Sequence, residues 1–119
     1  MMPPVGTPYH RERYNCAHYV ADYYRETLGI VAPTASAGSE WERGFMIWMR
    51  QHFVPAIAPV DGALVVMLSR AGLHVGVYRD WLVWHCNNGP DSGQVMGSSL
   101  SVLRMEYRKI RFYIYDCTN

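Results

Sequence analysis

The sequence predicts an α+β domain in which amphipathic helices come first and an antiparallel sheet follows. Between residues 17 and 53 the apolar side chains fall into two stripes at helical spacing. Beyond Pro59 the texture changes to short runs rich in Val, Leu, Tyr and Trp, broken by Gly and Asp, which is the pattern of a strand-and-turn sheet. The 119 residues suffice for one hydrophobic core and are too few for two, so residues 1 to 119 are expected to form a single domain. Half of them are apolar and only 18% are charged, a balance that favours a packed globule over a disordered chain.

Taken in order, residues 1 to 13 hold three prolines and a glycine and suit an extended arm, with GTPY at 6 to 9 turn-like. A first helix is expected from Cys16 to about Thr27. Asn15 supplies the N-cap, Val20, Ala21, Tyr24 and Leu28 fall on one apolar stripe, and Gly29 stops the helix. TASAGS at 34 to 39 is a loop. Ser39 with Glu42 makes a capping pair for a second helix whose stripe is Phe45, Trp48, Met49 and Phe53, interrupted by Pro55. The sheet then begins with ALVVML at 63 to 68, nearly continuous in apolar residues as a central strand is. LHVGVY at 73 to 78 alternates, with His74, Gly76 and Tyr78 on one face. WLVWH at 81 to 85 follows, with Trp81, Val83 and His85 sharing a face. NNGPDSG at 87 to 93 is a loop, QVM starts a short strand, GSSLSVL gives one helical turn, and RKIRFYIY at 108 to 115 closes the sheet.

Charge and composition exclude several classes of function. Eleven basic residues face ten acidic ones, so the basic excess that marks a nucleic-acid binder is missing. No stretch approaches ~18 apolar residues and the first residues lack the pattern of a secretory signal, so neither membrane insertion nor export by that route is expected. An odd count of three cysteines, Cys16, Cys86 and Cys117, argues against a disulfide framework. Lys109 and Arg111 fall on one face of the last strand, as solvated charges of a half-buried strand do.

The residues that carry chemistry converge on Cys16. At the first position of a helix its thiol meets the positive end of the dipole, which favours the nucleophilic thiolate. If Arg79 and Asp80 form a two-residue hairpin loop, Tyr78 pairs with Trp81 and His74 lies directly opposite His85 on the same face. Gly76 leaves that face bare, so that the Cys16 end of the helix can come close. A thiol, an imidazole to take its proton and a second polar ring to orient the first constitute the machinery of covalent acyl transfer. Zinc on Cys16 and the two histidines is the competing reading, but a fourth ligand and the close spacings of a structural site are missing, so no metal and no cofactor are expected.

These residues also carry a resemblance. GTPY at 6 to 9, NCAHYV at 15 to 20, VDGALVVM at 60 to 67, HVGVY at 74 to 78 and VWHCN at 83 to 87 occur in the order and spacing of the NlpC/P60 papain-like cysteine peptidases, and resemble their short phage-tail-associated versions. The resemblance covers most of the chain and implies a papain-like fold, with N-terminal helices on a C-terminal antiparallel sheet. It implies Cys16 as nucleophile, His74 as general base, His85 as orienting residue, and Tyr9, with Tyr14 as its rival, as an oxyanion or substrate contact beside Asn15 and Gly76. Asn15, Ala17 and His18 stand where the family has Asp, Ser and Gly. The implied reaction is hydrolysis of an amide in peptidoglycan stem peptides, typically between D-glutamate and a diamino acid. Phage tail-tip proteins are the implied partners, and the implied setting is a virion tail or a bacterial cytoplasm from which the protein reaches the cell wall. A catalytically silent tail component and an injected amidase toxin are the alternatives of the same fold.

Overall fold

The computed structural model describes residues 4–10, 15–34, 38–87 and 93–116. In chain order its elements are α1 (Cys16–Leu28), α2 (Gly38–His52), β1 (Phe53–Ala56), β2 (Leu64–Ser69), β3 (Gly72–Arg79), β4 (Leu82–Cys86), β5 (Val95–Ser98), α3 (Leu100–Glu106) and β6 (Lys109–Tyr115). The six strands form one open sheet in the order β1-β6-β2-β3-β4-β5, antiparallel throughout. This is the expected α+β class, with two differences. The helical turn expected in GSSLSVL is a longer helix, α3, that runs on to Glu106, and a strand not expected, β1, pairs with β6 from Phe53↔Tyr115 to Ala56↔Phe112. Phe53 therefore ends the helical stripe and opens a strand. Pro55 sits within that strand because β1 is the sheet edge, where the amide a proline lacks is not needed by a second neighbour.

Each face of the sheet has its own core. On one face Leu64, Val66, Val75 and Val77 pack under α1 and α2, against side chains such as Tyr24 and Phe45. On the other, Val65, Met67, Tyr78, Val83 and Phe112 are covered by Leu103 of α3. The alternation of β3 and β4 therefore puts His74, Gly76 and His85 on the α3 side, while α1 packs against β3 and β4 from the opposite side.

The local chemistry of α1 is as its sequence indicates. Asn15 Oδ1 accepts from the amides of Ala17 and His18, the His18 ring accepts from the Asn15 amide, and Gly29 closes the helix in the left-handed region at φ 69°. In α2, Ser39 lies inside the helix and is not its cap. Glu42 instead reaches out of α2 to the first turn of β3, where its Oε2 accepts from the Leu73 amide at 3.3 Å.

The β3–β4 hairpin turns one residue later than expected. Asp80 and Trp81, at φ 52° and 69°, form the two-residue loop, and Arg79 pairs with Leu82. Both loop residues take the left-handed conformation that a tight hairpin turn requires, and Asp tolerates it better than Arg. Moving the loop by one residue shifts the strand register by two. His85 then stands opposite Gly76, and His74 is its diagonal neighbour on the same face. The N-terminal arm is extended after a turn and lies along the outer edge of β5, through Gly6 N–H to Val95 O, Val95 N–H to Thr7 O and Tyr9 N–H to Gly93 O.

Candidate active site

Two of the three residues expected to act together are bonded to each other. His74 Nε2 and His85 Nδ1 are 2.8 Å apart, with the rings nearly perpendicular at 85°, and both histidines are 3% exposed. The diagonal register brings them together where direct pairing was expected, because diagonal positions on one face remain within reach of side chains of this length. A third hydroxyl extends the line. His85 Nε2 lies 2.9 Å from Ser98 Oγ, at the end of β5. The phenol ring of Tyr107, the residue that caps α3, lies parallel to the His74 ring at a centroid distance of 5.7 Å and an interplanar angle of 6°.

Ser98 and Tyr107 were not among the expected site residues. Sequence patterning assigned GSSLSVL to a helical turn, whereas Ser98 ends β5 and Ser99 is the N-cap of α3, its hydroxyl accepting from the Val102 amide. The signal was present in the second serine: a run of two, the first closing a strand and the second capping a helix, reads as a single helical turn when only composition is weighed.

Cys16 approaches from the other face, close to where the β3–β4 ladder ends. The Tyr78 amide donates to Ala63 O next to β2, and amides alternate along a strand, so the Val75 amide points towards β4. The β3–β4 ladder stops at Val77↔Trp84, while His85 and Cys86 pair onward with β5. The Val75 amide is thus left beyond that ladder, and with the amides of Ala17 and Cys16 it lies close enough to the Cys16 sulfur to favour the thiolate. His74 is the residue directly before Val75. Among the described residues no hydrogen bond joins the thiol to either imidazole; what they share is the neighbourhood of Val75, where the β3–β4 ladder ends.

Electrostatics correct one expectation. Burial pushes the Cys16 thiol up to about 11, outweighing the three backbone amides that favour the thiolate, with the Glu42 carboxylate adding to the rise. The same desolvation lowers His74 to about 3, helped by the neighbouring His85, and lowers His85 to about 4. The resting site is therefore a neutral thiol beside two neutral imidazoles, and not the thiolate expected from the helix terminus alone.

The other expected site residues fall as follows. Asn15 holds the helix start, its side-chain oxygen engaged as the cap. At Gly76, a Cβ would meet Trp84 O at 2.7 Å, a Val83 methyl at 2.9 Å and His85 Cβ at 3.1 Å, so its bareness serves the approach of β4; the expected neighbour, the start of α1, is not among these atoms. Tyr9 is half-buried on the arm and packs against the core beneath α1, while Tyr14 lies outside the described residues. Cys86 is buried in β4, and Cys117 lies outside the described residues. Lys109 and Arg111 are exposed on β6.

Among the described residues no group of three His, Cys, Asp or Glu side chains is placed to hold a metal ion, and no helix is long and apolar enough to cross a membrane. A buried, hydrogen-bonded histidine pair beside a partly buried cysteine at a helix N-terminus is consistent with the site of a cysteine hydrolase. In comparison with known proteins, no family model matches the chain and no curated protein matches it.

Proposed function

We propose that this domain is a cysteine peptidase or amidase that hydrolyses an amide of bacterial peptidoglycan stem peptides, in the manner of the NlpC/P60 enzymes its sequence resembles. The observation that carries the reading is the His74–His85 bond at 2.8 Å, and it is supported by the Cys16 thiol lying near the backbone of Val75, the residue after His74. His74 has engaged Nε2 with His85, so Nδ1 is the nitrogen left to take a proton from the thiol.

With both partners neutral at rest, proton transfer accompanies attack. The Cys16 sulfur bonds to the amide carbon as its proton passes to His74, and the tetrahedral oxyanion is held by the Cys16 backbone amide at the start of α1. His74 returns the proton to the leaving amine as the C–N bond breaks. Water then attacks the thioester, gives a proton to His74, and the sulfur leaves to recover it as the thiol. A low basicity suits His74 to the second transfer, because an imidazolium formed in a dry site surrenders its proton readily. The proposed setting is a cell-wall hydrolase associated with a phage tail or delivered into a rival cell, as the resemblance implies.

The test is turnover of a stem-peptide fragment carrying the D-glutamyl amide of a diamino acid. Cys16→Ser should abolish hydrolysis while leaving the melting temperature nearly unchanged, because the hydroxyl is of similar shape but far harder to ionise. Undiminished turnover by that variant would remove Cys16 as the nucleophile.

A further inference from the structure

The line of polar groups does not end at His85. We propose that Ser98 is a positioning residue, whose hydroxyl accepts from His85 Nε2–H and thereby fixes the protonation pattern of both imidazoles so that His74 presents a bare Nδ1. The proposal deepens the hydrolase reading and rests on it for the direction in which the line must run.

The argument is a count of protons along three atoms in a row. Ser98 Oγ is 2.9 Å from His85 Nε2, and His85 Nδ1 is 2.8 Å from His74 Nε2. Ser98 is 8% exposed and each histidine 3%, so solvent is a poor substitute partner for any of them. A neutral imidazole carries one N–H and one lone pair, and each contact needs one donor and one acceptor. Only two patterns satisfy both contacts. In the first, His74 Nε2–H donates to His85 Nδ1, His85 Nε2–H donates to Ser98 Oγ, and His74 Nδ1 keeps its lone pair. In the second, Ser98 O–H donates to His85 Nε2, His85 Nδ1–H donates to His74 Nε2, and His74 Nδ1 is protonated. The second pattern has no base to offer a thiol. Which of them holds is decided at the far end of the line, by whether the serine hydroxyl accepts or donates.

The hydroxyl is well suited to this place because it does not compete as a charge. A carboxylate here would be a buried anion beside two imidazoles and would pull one of them towards the imidazolium, whereas a serine leaves the pair neutral. When His74 takes the thiol proton during attack, the first pattern needs no rearrangement: Nε2–H already donates to His85, and the new charge is stabilised through the line.

The measurement is 15N imidazole spectroscopy of the full chain near neutral pH, which reads the tautomer of each ring without any substrate. His74 and His85 should both appear as Nε2–H tautomers. Ser98→Ala should shift His85 towards Nδ1–H or an exchanging mixture, and Ser98→Thr, which keeps the hydroxyl, should restore the wild-type signature. On the stem-peptide fragment, Ser98→Ala should lower kcat about tenfold or more with KM little changed, and Ser98→Thr should recover most of the loss. His85 found as Nδ1–H in the wild-type protein would overturn the assignment even if neither variant folds. Wild-type tautomers unaffected by Ser98→Ala would overturn it too. If the tautomers and their response to Ser98→Ala are as stated but no peptide is cleaved by the wild-type protein, the hydrolase reading fails while the role of Ser98 in fixing the histidines stands.

Discussion

Burying two neutral histidines should make the fold unusually sensitive to mild acid. In the unfolded chain each imidazole titrates near its ordinary value of about 6.5, whereas in the folded protein burial lowers His74 to about 3 and His85 to about 4. Between those limits the unfolded state binds protons that the folded state refuses, so stability is fully present above about pH 6.5 and falls as the pH drops towards 4. Well below pH 6.5 the slope approaches ~1.4 kcal/mol per pH unit for each histidine, which accumulates to roughly 2 kcal/mol per histidine at about pH 5. The two together remove about 4 kcal/mol from a total that in small domains is only about 5–15 kcal/mol. Urea unfolding followed by fluorescence suits the measurement, because Trp41 and Trp48 are buried in the core beneath α1 and α2. With m near 2 kcal/mol/M, the midpoint should fall by about 2 M between about pH 7.5 and about pH 5. His18, also lowered by burial, adds a loss of the same sign. His85→Gln, compared with itself at the two pH values, should recover about half of the shift. A wild-type midpoint that does not move, or a shift of the same size in His85→Gln, would refute the neutral buried pair.

The same electrostatics govern the thiol. Alkylation of Cys16 by iodoacetamide should keep accelerating through the alkaline range towards about 11, and a rate plateau in mild acid would instead reveal a preformed thiolate–imidazolium pair. Within the proposed reaction, His74→Ala should nearly abolish peptide turnover, and His85→Ala should be milder, because it removes orientation and leaves the base. His85→Gln should recover part of that rate by restoring a hydrogen bond to His74, and a silent His85→Ala would separate the histidine pair from catalysis. Gly76→Ala should destabilise the fold by about 1–3 kcal/mol through its clash with the Trp84 carbonyl and its contacts with Val83 and His85, read as a lower urea midpoint; an unchanged midpoint would contradict the close approach of β4.

Much of this architecture was legible because local chemistry and tertiary packing agree. Asn15 and Gly29 bound α1 at the residues their types indicate, and the alternation of LHVGVY and WLVWH put both histidines on one face. Where the two disagreed, the sequence misled. Phe53 continues the helical stripe of α2 in spacing yet belongs to β1, because β6 offers an edge to pair with and no local signal announces a partner some sixty residues away. Ser39 and Glu42 have the spacing of a capping box, but Glu42 serves an amide of β3, a neighbour that only the folded chain supplies. The state of the thiol was hidden for the same reason. A helix N-terminus is visible in sequence, whereas the depth at which it is buried is set by the sheet it meets, and here depth outweighs the dipole.

The histidine pair emerged despite a wrong hairpin loop, and the reason bears on how the site is built. A strand repeats its facing every two residues, and displacing a two-residue loop by one position changes the register by two, so the face is conserved while direct pairing becomes diagonal. With Asp80 and Trp81 at the turn, β3 outruns its ladder with β4 after only Val77↔Trp84, and β4 passes on to β5. Within the β4–β5 ladder His85 lies within reach of Ser98. Had Arg79 and Asp80 formed the loop, His85 would face His74 directly. The late turn itself is strained at Trp81, whose left-handed backbone leaves the indole 85% exposed.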